Sequence, residues 1–77
     1  MSDLETELRA MVEMVADQPV DVTDRFADLE NWTSLGALRL LAMIEQRLAV
    51  TLDLRDYISI QTVGGLVEAV ATARRMH

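Results

Sequence analysis

Two adjacent hydroxyls, Thr33 and Ser34, stand at the head of an apolar-periodic stretch running from Asn31 to Val50. A hydroxyl directly before such a stretch is a natural helix N-cap, accepting one of the backbone N–H groups that the first turn leaves unpaired. It can also serve as a nucleophile, but only beside a base that takes its proton. The one histidine is His77, the last residue, so a Ser-His-Asp site on Ser34 or Thr33 would hang on a chain end. A small hydrolase is therefore the weakest reading, and no catalytic residue is assigned. With no cysteine, the chain has no disulfide, thiolate metal site or thiol nucleophile, which fits a reducing cytoplasm. Any thiol it uses must be imported.

The other chemistry-bearing residues give weaker signals. Asp17, Asp21, Asp24 and Asp28 are spaced four, three and four apart. A calcium loop needs closer spacing and a glycine turn, so a solvated acidic loop is expected and no metal. Neither glycine-rich phosphate loop is present. Gly64 and Gly65 instead read as close packing at the start of a helix. The five methionines suit gap filling, with Met11 on a core stripe and Met1 and Met76 terminal.

At 77 residues the chain makes one domain, expected to bury roughly 60 to 65% of its unfolded surface. Stability should be about 4 to 11 kcal/mol, so one core must take nearly every large apolar side chain. The net charge of -6 argues against nucleic acid as a partner. That charge is uneven: residues 1–30 carry nine acids and two arginines, whereas residues 31–77 carry four acids and five arginines. No apolar run approaches the roughly 18 residues of a membrane span, and the start Met-Ser-Asp-Leu-Glu lacks the pattern of a signal peptide. A cytoplasmic monomer is the expectation. The absence of lysine is consistent with a GC-rich bacterial genome.

The elements that must hold the hydroxyl pair follow from periodicity. Ser2 with Glu5 forms a capping-box pattern, and Leu4, Leu8, Met11, Val12 and Val15 follow at helical spacing, which predicts a helix over about 3–16. Residues 17–33 contain the single proline and five of the acids. This long loop is expected to pack down through Phe26 and Leu29 rather than hide a helical turn. A second helix covers about 34–49. A short helix over about 53–58, capped by Asp53, should carry Tyr57 and Ile58 inward. Thr62 caps a last helix over about 63–74, with Val63, Leu66, Val67 and Val70 as its stripe and Arg74 and Arg75 at its dipole end. No segment alternates long enough for a sheet. The expectation is an all-α, small four-helix bundle, with three long helices and a short one before the last.

Laid out at about 100° per residue, the second helix shows two stripes. Leu38, Leu40, Leu41, Ile44 and Leu48 are expected in the core. Leu35, Arg39, Ala42 and Gln46 lie opposite, beginning beside Ser34, and would suit either transient docking or plain solvation. Trp32, the sole tryptophan, would pack the loop on this helix or touch a partner.

The runs Phe-Ala-Asp-Leu-Glu-Asn-Trp-Thr-Ser-Leu from Phe26, Leu-Arg-Leu-Leu-Ala-Met-Ile-Glu-Gln-Arg-Leu from Leu38, and Thr-Val-Gly-Gly-Leu-Val-Glu-Ala-Val from Thr62 resemble the acyl and peptidyl carrier proteins. In that family a serine followed by an aliphatic residue starts helix 2, an acid follows about eleven positions on (here Glu45), and Thr-Val opens the final helix (here Thr62 and Val63). The resemblance implies that Ser34 accepts 4'-phosphopantetheine from a phosphopantetheinyl transferase. The arm's thiol would carry an acyl or aminoacyl thioester to loading enzymes, acyltransferases, ketosynthases or condensation enzymes. Trp32, Thr33, Leu35, Arg39, Ala42, Glu45 and Gln46 would then form the partner face.

Three positions depart from the family pattern. Thr33 replaces the acid usual before the serine in fatty-acid-type carriers. Trp32 stands where glycine or alanine is common, as in a subset of free-standing carriers of specialised metabolism. Ala49 replaces a frequent glycine after helix 2, so a different helix end is expected. Helix 2 also bears one acid, Glu45, against Arg39 and Arg47, whereas fatty-acid-type carriers are strongly acidic there. Polyketide or nonribosomal peptide partners are favoured. The competing reading is a helical adaptor that docks through the exposed face of helix 2 without a prosthetic group.

Overall fold

The computed structural model describes residues 3–75, which form an all-α bundle with no strand among them. The proposed cap from Ser2 and the histidine His77 lie outside the described residues. Helix α1 spans Asp3–Ala16, α2 Ser34–Leu48, α3 Leu54–Ser59 and α4 Val63–Arg75. α1 packs against both α2 and α4. It does so because Leu4, Leu8, Met11, Val12 and Ala16 recur at helical spacing and are all buried. Leu40, Ile44 and Leu48 from α2 and Val63, Leu66 and Val70 from α4 complete the core, and no polar or charged side chain is buried among the described residues.

The long connection between α1 and α2 is ordered by backbone hydrogen bonds rather than by regular structure. Leu29 is buried and Phe26 packs against the core. The expectation of a loop without a helical turn is corrected: Phe26–Asp28 form one 3-10 turn. That turn lets the backbone pair locally, Asp28 N–H with Arg25 O and Leu29 N–H with Phe26 O. The same segment is tied to the head of α4. Phe26 N–H donates to Gln61 O at 2.9 Å, Val63 N–H to Asp24 O at 3.1 Å and Gly64 N–H to Val22 O at 2.8 Å, and Arg25 and Thr62 make an isolated antiparallel bridge. A Cβ on Gly64 would lie 3.1 Å from Val22 O. The close packing expected at this glycine is therefore against loop backbone, not another helix.

Two core assignments are also corrected. Leu38 is 52% exposed and Ile58 70% exposed. On α2, Leu38 lies about 40° from Ser34 and about 120° from Ile44, so it belongs to the outer face. On α3 only Tyr57 turns inward, because a six-residue helix offers one inward position per turn.

α2 ends in the left-handed residue that its alanine was expected to avoid, Ala49 having φ 55° and ψ 38°. The following Val50 is buried, and reversing the chain toward it requires that conformation. A Cβ in this region costs about 1–2 kcal/mol, part of which glycine regains as unfolded-state entropy. Ala49→Gly should therefore raise stability by about 0.5–1 kcal/mol in urea denaturation. An unchanged or lower midpoint would show that the left-handed end carries no strain.

Candidate functional site

The site grows from the first turn of α2. Thr33 is the N-cap, in an extended conformation, and its Oγ1 accepts from Gly36 N–H at 3.0 Å. Thr33 O accepts from Ala37 N–H at 2.9 Å, closing the first helical turn. Gly36 is buried, with space for a Cβ only 3.3 Å from Val15 Cγ1 and 3.4 Å from Thr33 Oγ1, so its missing side chain lets α1 and the cap close over it. Ser34 is thus relieved of capping and stands exposed as the first helical residue. Its hydroxyl makes no hydrogen bond among the described residues, and neither its N–H nor that of Leu35 has a protein acceptor there. Two free N–H groups at a positive helix end favour an anionic oxygen close to that hydroxyl.

Around Ser34 the expected partner-face residues divide. Leu35 is 66% exposed, and Arg39, Ala42, Glu45 and Gln46 are exposed along the same outer side of α2. Arg39, Glu45 and Arg47 form no ion pair among the described residues, so this face keeps its charges free. Trp32 does not join that face. It is half-buried and stacks on Phe26 with ring centroids 4.9 Å apart and an interplanar angle of 25°, which anchors the loop beside the hydroxyl. The exposed leucine and isoleucine of the corrected core, Leu38 and Ile58, line one groove together with Ser34, and Leu54 of α3 is half exposed. Sequence reasoning missed these residues for the site. The angular position of Leu38 relative to Ser34 was the available signal; the approach of α3 was not encoded in any local pattern.

α3 is held to α2 by Tyr57, which is buried and donates its hydroxyl to Ala37 O. Burial disfavours the phenolate and pushes the Tyr57 pKa up to about 12 from its ordinary 10. Between these values the unfolded chain releases a proton that the folded chain keeps. The stabilisation is therefore complete below pH 10 and is lost as the pH rises toward 12, by about 2 kcal/mol in all. With one tyrosine and neither lysine nor cysteine, the chain isolates this effect. Urea midpoints should fall over that window in the native protein and stay flatter in Tyr57→Phe; parallel curves would remove Tyr57 as the cause.

Asp24 Oδ2 accepts from Asp21 N–H at 2.8 Å, Asp21 lies 3.9 Å from Arg9, and among the described residues no group of three or more metal-ligating side chains could hold an ion.

In this small helical bundle the Thr33 hydroxyl caps α2 and the neighbouring Ser34 hydroxyl stays exposed and unbonded among the described residues. Residues 6–70 match the family model described as the phosphopantetheine attachment site, and the chain belongs to that family. It is a carrier of the acyl and peptidyl carrier type, holding 4'-phosphopantetheine covalently and having no catalytic activity of its own. A phosphopantetheinyl transferase and biosynthetic enzymes are its partners in general terms. No curated protein and no solved structure matches the chain. No helix among the described residues is long and apolar enough to cross a membrane.

Proposed function

We propose that Ser34 is the attachment residue, and that the chain carries an acyl or aminoacyl group on that arm to the enzymes of a polyketide or nonribosomal peptide pathway in the cytoplasm. The observation that carries this reading is the exposed, unbonded Ser34 hydroxyl directly after the Thr33 cap. The residues fit the group. The free N–H groups of Ser34 and Leu35 face a phosphodiester favourably, and no side chain competes for the serine oxygen. The arm supplies the thiol that this cysteine-free chain lacks, as the site of a thioester.

The protein's own part is presentation. Tethering raises the effective concentration of the cargo at each partner's active site. Leu35, Arg39, Ala42, Glu45 and Gln46 form the docking side of α2, with Thr33 at its head and Trp32 fixing the loop beside it. The helix carries two arginines against one acid, which supports partners other than those that dock on a strongly acidic helix. Incubation with coenzyme A and a broad-specificity transferase should add the mass of one phosphopantetheine, mapped by peptide fragmentation to Ser34. Modification at another hydroxyl, or none with several transferases, would refute the assignment.

A further inference from the structure

The head of α2 has little of its own to hold it closed. Its first turn contains no acid to meet the positive end of the helix dipole, its cap is a neutral threonine, and its third residue, Gly36, is a poor helix former. What closes it comes from outside the helix. Trp32 directly precedes the cap and Ala37 is the fourth helical residue, the two positions of a hydrophobic staple, and both line the same groove beside Ser34. The indole is in turn stacked on Phe26. Phe26 is a fixed platform, because its N–H donates to Gln61 O while Asp24 O and Val22 O, just before it, accept from Val63 and Gly64 N–H at the head of α4. Ala37 is also held through its backbone, its N–H on Thr33 O and its carbonyl accepting from the Tyr57 hydroxyl. Ser34 therefore rides on a turn that is fastened to α4 through two aromatic rings.

We propose that Trp32 is a positioning residue for the modification of Ser34: stacked on Phe26, it keeps the head of α2 in the closed form that a phosphopantetheinyl transferase binds, and it does so without touching the enzyme. The proposal rests on Ser34 being the attachment residue. An aromatic stack contributes about as much as a threonine cap, so at a head with no other local support its loss populates the frayed form. A transferase that selects the closed head then meets only a fraction of the carrier in competent form. Apparent affinity falls by that fraction, whereas turnover of the carrier once bound is unchanged. A side chain that touched the enzyme would act independently of Phe26; one that acts through the stack cannot.

The test measures initial rates of loading by a broad-specificity transferase at saturating coenzyme A, with carrier concentration varied and the modified residue mapped by peptide fragmentation. Trp32→Ala should raise KM for the carrier about fivefold, the factor for a head closed about one fifth of the time, with kcat unchanged and loading complete at long times. Trp32→Phe, which keeps a ring on Phe26, should return KM to within about twofold of native. Phe26→Ala, with the indole still present, should raise KM as Trp32→Ala does, and the double variant should add less than about twofold to either, because each ring acts through the other. Exchange of the Gly36 amide proton with water, read by NMR, should quicken in the same variants, since it reports opening of the cap. Trp32→Leu, which keeps apolar bulk without a ring face, should give an intermediate KM and decides the matter if Trp32→Ala does not fold. Native KM in a folded Trp32→Ala protein would overturn the proposal. So would penalties that multiply in the double variant, which would make Trp32 a direct contact, and so would a lower kcat at native KM, which would put the defect after docking. Native protein that loads at another hydroxyl, or not at all, would instead remove the Ser34 reading itself.

Discussion

Ser34→Ala should abolish phosphopantetheine loading entirely while leaving the fold and its stability within about 0.5 kcal/mol of the native protein. The two effects separate because Ser34 is exposed and its hydroxyl bonds nothing among the described residues, whereas the helix is capped from the preceding position. Alanine is at least as good as serine in a first helical turn, so α2 has no reason to unravel. Thr33→Ala should behave in the opposite way. It removes the acceptor of Gly36 N–H and costs about 1 kcal/mol, with the Ser34 hydroxyl still in place and loading retained. Intact mass after incubation with coenzyme A and transferase, alongside thermal melts, reads both results. A Ser34→Ala protein that still gains the full mass would move the attachment to another hydroxyl. One that fails to load because it is unfolded would contradict the division of labour between Thr33 and Ser34.

The largest loss of stability should come from the centre of α1. Leu8 has no exposed surface, and its helix packs against both α2 and α4, so truncation leaves a cavity where these elements meet. Leu8→Ala should cost about 2–5 kcal/mol. Against a total of about 4–11 kcal/mol for a chain of this length, the variant would be partly unfolded near physiological temperature, with Tm lower by on the order of 15 °C. Leu35→Ala is the informative contrast. Its side chain is two-thirds exposed and supports no core, so its stability should stay within about 0.5 kcal/mol of native while loading by a transferase slows. If Leu8→Ala melted as the native protein does, the core would not be organised around α1.

Local pattern carries much of this architecture. α1 lies over Asp3–Ala16, where apolar spacing places it, and the side-chain caps at Thr33, Asp53 and Thr62 hold the heads of α2, α3 and α4. These features are legible because a cap or an amphipathic stripe is set by residues within a turn or two of each other. Leu38 and Ile58 were misplaced for the converse reason. Hydropathy says that a leucine gains from burial, but whether a neighbour arrives to cover it depends on where the loop and α3 pass. The left-handed Ala49 is a similar case: its backbone preference opposes the turn, and the burial of Val50 beyond it overrides that preference.

The sequence by itself determined that the hydroxyl pair Thr33 and Ser34 heads a helix, that the chain brings no thiol and no well-placed base of its own, and that the helix beside the serine is nearly neutral rather than strongly acidic. Composition and spacing along one segment are enough for each of these. Only the tertiary structure decided that Trp32 is stacked on Phe26 rather than presented outward, and that Tyr57 is buried and joins α3 to α2. Those facts depend on contacts between segments separated by many residues, whose meeting is fixed by the shared core of α1, α2 and α4 and by the hydrogen bonds that tie the long loop to the head of α4.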